Sequence, residues 1–72
     1  MKYLVIIEKT NTGFSAYPPD LPGCASTGST REEIEKNIQE AIEFHVDGLQ
    51  RSGLDVPEPK SYSTYVEANQ SV

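Results

Sequence analysis

The chain has 72 residues, a net charge of −5 with a pI near 4.6, one cysteine and one histidine. One domain is the expectation at this length; an internal disulfide is excluded, and a structural zinc site within one chain is disfavoured. Six basic residues scattered without a run argue against a phosphate-binding patch, and so against direct nucleic-acid binding.

Residues 2–8 (Lys2-Tyr3-Leu4-Val5-Ile6-Ile7-Glu8) read as a strand. Its apolar run, Tyr3 to Ile7, is too short for a membrane span or a signal-peptide core, so a cytoplasmic protein is expected. Tyr3, Val5 and Ile7 would face one side, Leu4 and Ile6 the other. Apolar on both faces, this strand is expected at the centre of a sheet. Lys9-Thr10-Asn11-Thr12-Gly13 then makes a hairpin turn. Phe14-Ser15-Ala16-Tyr17 returns as an antiparallel second strand. Pro18-Pro19 cannot donate to a ladder, so pairing should end there. Leu21-Pro22-Gly23 reverses the chain, and Cys24-Ala25-Ser26-Thr27-Gly28 is expected as a short edge strand.

Thr30 and Glu33 form the capping-box pattern of a helix start, with Glu32 and Glu33 at the positive end of the helix dipole. Ile34, Ile38, Ala41, Ile42, His45, Val46 and Leu49 follow on one stripe, the spacing of a half-buried helix over about 31–52. Glu32–Lys36 and Asp47–Arg51 are spaced for helical ion pairs. Ser52-Gly53-Leu54 reads as the helix end, Gly53 left-handed and Leu54 folding back on Leu49. An extended link through Pro57 and Pro59 leads to Tyr62-Ser63-Thr64-Tyr65-Val66-Glu67, expected as a fourth strand. A right-handed crossover would return it parallel to the first strand. The expectation is thus an α+β fold, β-β-β-α-β, with a four-stranded mixed sheet of order 3-2-1-4 and one long helix on one face. Residues 68–72 are expected to fray.

The opposite sheet face has no helix to cover it. A domain this small also buries only about 60% of the surface its unfolded chain exposes. Both point to a homodimer, homotetramer or other even-numbered oligomer.

The run Tyr17-x-x-Asp20-Leu21-Pro22-Gly23-Cys24, then Gly28-x-Thr30-x-Glu32-Glu33 and an Ala/Ile/Glu-rich helix, resembles the HicB antitoxin family over about residues 2–68. The resemblance implies a partial ribonuclease-H-like fold. It also implies a role as the antitoxin of a toxin–antitoxin pair, covering the active site of HicA, a small basic RNA-cleaving toxin with a catalytic histidine. No catalytic, cofactor-binding or metal-binding residue is then called for, and no cofactor. Many members carry a C-terminal DNA-binding module; none is expected within residues 1–72.

Individual residues admit more than one reading. Asp20 suits a hydrogen bond that holds the Pro-Gly turn, or a carboxylate offered to a basic partner. Tyr17 suits either core or rim. Glu35, Glu40, Glu43 and Asp47 suit a solvated helix face, or one that meets toxin lysines. Partner-binding candidates are accordingly Tyr17, Asp20, Glu40, Glu43 and Asp47. His45 reads as a packed or capping histidine and Cys24 as a small buried apolar residue. Alternative functions are an orphan oligomeric binding module without a toxin, and a vestigial metal-dependent nuclease. The latter would use Glu8 and Glu67 on neighbouring strands, with Glu40 or Glu43 from the helix.

Overall fold

A computed structural model describes residues 1–70. Three strands precede one helix: β1 (Ile6–Lys9), β2 (Phe14–Tyr17), β3 (Ser26–Gly28) and α1 (Arg31–Arg51). The sheet is antiparallel throughout, in the order β1-β2-β3. Ile7 pairs with Ala16 and Ile6 with Tyr17. Ala16 therefore shares the helix-facing side with Ile7, while Tyr17 shares the opposite side with Ile6.

The core lies between β2 and α1. Ala16, Ile34 and Ile38 are buried against one another, and Val5, Phe14, Ala41 and Ile42 close around them. The rest of the expected stripe, His45, Val46 and Leu49, is half-buried. The helix lies close on β3 because Gly28 has no side chain: a Cβ there would come within 2.7 Å of the Ile34 amide nitrogen. Asn37 Nδ2 adds a hydrogen bond to the Thr27 carbonyl at 2.9 Å. No described helix is long and apolar enough to cross a membrane.

Both helix ends follow the local sequence. Thr30 Oγ1 accepts from the Glu33 amide at 3.1 Å. The Glu33 carboxylate accepts in return from the amide of Ser29, one residue before the cap. At the other end Gly53 adopts φ +70°, and the Leu54 amide donates to the Leu49 carbonyl at 2.9 Å. Asp47 pairs with Arg51 at 2.7 Å, whereas Glu32 and Lys36 form no ion pair.

Three expectations need correction. The fourth strand is absent: residues 62–67 join no sheet, so the four-stranded mixed sheet of order 3-2-1-4 gives way to three antiparallel strands. With no neighbour on its outer side, β1 is an edge strand rather than a central one, and it starts at Ile6 rather than at residue 2. The third strand is Ser26–Gly28, shorter than the expected 24–28. The physical reason for the missing strand lies in the link. The Tyr3 hydroxyl donates to the Pro57 carbonyl, and Asp20 captures the amides of Lys60 and Ser61. The link is thus tied to the start of the chain and to the loop after β2, and the residues beyond it leave the body. Of the tail expected to fray, Ala68 to Gln70 are exposed and outside any element; residues 71 and 72 lie outside the described residues.

Candidate partner-binding surface

An open apolar groove lies between the free edge of β1 and α1. Met1, Tyr3, Val5 and Ile7 form one wall, and Ile38 and Ile42 form the floor of a groove of about 410 Å³. Glu35 and Glu43 also line it. The groove exists because the apolar stripe of α1 is wider than the three-stranded sheet that covers it. Ile7 is consequently 42% exposed. Sequence reasoning missed this groove because it read the two-sided apolar run Tyr3–Ile7 as a central strand. The same run instead leads into an edge strand with one neighbour, β2.

Glu40, Glu43 and Asp47 come together as expected. They are exposed and spaced to lie on one face of α1, opposite Ile34 and Ile38. Asp47 is engaged by Arg51, and Glu43 lies at the rim of the groove. Tyr17 sits apart from them. It is 42% exposed on the sheet side that faces away from the helix.

Asp20 does not hold the Pro-Gly turn through its side chain but reaches the link after the helix. Its Oδ2 accepts from the amides of Lys60 and Ser61, and its Oδ1 from the Ser61 hydroxyl, each at 2.8 Å. The Ser61 amide, then the Lys60 amide, then the Ser61 hydroxyl hold its carboxyl below the ordinary value of 3.8. The Pro-Gly loop is held instead by backbone bonds, Leu21 amide to Pro18 carbonyl at 3.1 Å and Cys24 amide to Leu21 carbonyl at 3.2 Å. Nothing local in the sequence signals a bond across forty residues.

Glu8 and Glu67 are both exposed, and Glu67 stands on no strand, so the side-by-side placement a nuclease reading needs is not formed. Among the described residues no three His, Cys, Asp or Glu side chains gather as metal ligands. Cys24 is buried, and burial pushes its thiol pKa up, the opposite of an activated nucleophile.

Residues 3–71 match a family described as HicB_like antitoxin of bacterial toxin-antitoxin system. An uncharacterised 14.9 kDa protein of Haemophilus phage HP1 is 38% identical over 66 residues, covering 92% of this chain and 50% of the phage protein. A UPF0150 protein of Thermoplasma acidophilum is 36% identical over 69 residues, covering 94% of this chain and its own whole length. This chain therefore spans half the length of the phage relative and all of the archaeal one. Two solved structures share the fold at 40% identity. One is a chain of the HicA3 and HicB3 toxin-antitoxin complex, with a TM-score of 0.73 over 82% of this chain and 70% of that one. The other is the antitoxin HicB3 by itself, with a TM-score of 0.68 over 79% of this chain and 42% of that one. By the family match across nearly its whole length, the chain belongs to the HicB-like antitoxins.

Proposed function

We propose that this chain binds a small basic RNA-cleaving toxin of HicA type and neutralises it in the cytoplasm by covering its active site, with no chemistry of its own. The observation that carries the reading is the likeness, at 40% identity, to a chain of a HicA3 and HicB3 toxin-antitoxin complex. The charge distribution supports it. A chain of net charge −5 presents Glu40, Glu43 and Asp47 together on an exposed helix face, a surface suited to a basic partner. Tyr17 and Asp20 complete the proposed contact set, Tyr17 as an exposed aromatic and Asp20 through the segment that it positions.

The test is co-expression in bacteria with the short basic protein encoded beside this chain. The expected result is that the toxin alone arrests growth and the pair grows. Replacing Glu40, Glu43 and Asp47 together with lysine should weaken the rescue while leaving the chain folded. Unrelieved arrest with well-folded, abundant antitoxin would count against the reading.

A further inference from the structure

Phe44 stands where the fold has no use for it. Among the described residues of the strands and the helix it is the most exposed large apolar side chain, at 81% against 42% for Ile7 and for Tyr17. It lies off the stripe of Ile34 and Ile38 and takes no part in the core cluster. Single exposed apolar residues are ordinary on a protein surface, but the surroundings of this one set it apart. Gly48, one turn further along α1, has no backbone reason to be glycine. Its φ is not positive, and nothing lies within 4 Å of an added Cβ, so no neighbour needs the room. Inside a helix glycine is destabilising relative to alanine. Its effect here is on Phe44. A helical side chain leans back over the turn before it, so a longer residue at 48 would lie across the ring at 44. Glycine leaves the ring bare on that side.

The charges around the ring say what can cover it. Glu40, one turn before, and Asp47, three residues after, are its neighbours on the helix surface, and both are exposed. Arg51 pairs with Asp47 at 2.7 Å, but both side chains are mostly exposed, so the pair is weak and a partner's cation can replace it. A ring between carboxylates suits a lysine or arginine. The aliphatic stem packs on the ring, and the charged head reaches a carboxylate. A second copy of this chain, also at −5, would set carboxylate against carboxylate, and an anionic membrane surface would be repelled in the same way.

We propose that Phe44 is the anchor by which this chain grips its basic protein partner. Its ring enters an apolar hollow on the toxin that is rimmed by lysine or arginine, and Gly48 keeps the approach open. The inference rests on the proposed function and deepens it, because it names the residue that gives the acidic helix face its hold. The two kinds of contact divide the work. The carboxylates speed encounter and lose their effect as salt is added. The desolvated ring slows release, and salt leaves that contribution in place.

The experiment is surface plasmon resonance of the full chain on the immobilised toxin encoded beside it, with urea unfolding and sedimentation of each variant. Phe44→Ala should raise the dissociation rate at least about tenfold, at low and at high salt, with the unfolding midpoint unchanged. Phe44→Trp should keep the slow release. Gly48→Leu should unfold at higher urea yet bind at least about tenfold more weakly, two changes of opposite sign that a structural role alone would not give. Release as slow as wild type from both Phe44→Ala and Gly48→Leu would overturn the inference and leave the proposed function standing. Absence of binding by the folded wild-type chain would overturn both. A dimer of this chain that Phe44→Ala dissociates, with toxin binding intact, would assign the ring to a second copy and overturn the inference as well.

Discussion

Asp20 and Ser61, forty-one positions apart, are joined by two hydrogen bonds of 2.8 Å, one from the Ser61 amide and one from its hydroxyl. With the Lys60 amide on the same carboxylate, this contact ties the link after the helix to the loop after β2. It also decides where the C-terminal arm begins.

Asp20→Ala should release that tie. The amides of Lys60 and Ser61 should lose hydrogen-exchange protection while those of α1 keep theirs. The pH dependence follows from the direction of the shift. The folded carboxyl lies below its ordinary value of 3.8, so its contribution is complete above that value and is lost as pH falls through the lowered one. Wild type and Asp20→Ala should therefore differ at neutral pH and converge in acid. Equal protection at neutral pH would mean that the contact carries no weight.

Ile34 is fully buried and Ile38 nearly so, at 0% and 4% exposure, whereas Phe44 on the same helix is 81% exposed. Ile34→Ala should cost roughly 2–5 kcal/mol in urea unfolding, enough to unfold much of a domain this small. Phe44→Ala removes a larger side chain yet should change stability by less than about 0.5 kcal/mol. Comparable losses at the two positions would mean that the helix is packed the other way round.

Two glycines should respond oppositely to alanine. At Gly28 the added Cβ would meet the backbone of Ile34, at 2.7 Å from its nitrogen and 2.9 Å from its Cα. Helix and strand must separate, at a cost of roughly 1–3 kcal/mol. At Gly48, inside the helix, nothing lies within 4 Å of the added methyl. Alanine there should raise stability by up to about 1 kcal/mol through helix propensity. Thermal unfolding of the two variants checks both signs.

What the sequence made legible was local. The Thr30–Glu33 cap, the Gly53 helix end and the stripe through Ile34 and Ile38 depend on neighbours within a turn or two, and they stand where their spacing puts them. The fourth strand was inferred from composition and from the handedness of crossovers. Those arguments say how a returning strand would run, not whether it pairs. Residues 62–67 have strand composition, but Asp20 and Tyr3 fix the preceding link elsewhere. The candidate surface divides in the same way. Glu40, Glu43 and Asp47 follow from helical spacing, while the groove beside β1 depends on a strand being absent, which no local pattern encodes.

The most direct test of the antitoxin reading is an RNA-cleavage assay with the purified toxin encoded beside this chain, titrated with the purified chain. Cleavage should fall stepwise and cease near equal molar amounts, with the loss less complete as salt is raised. Undiminished cleavage in the presence of a several-fold excess of folded chain would contradict it.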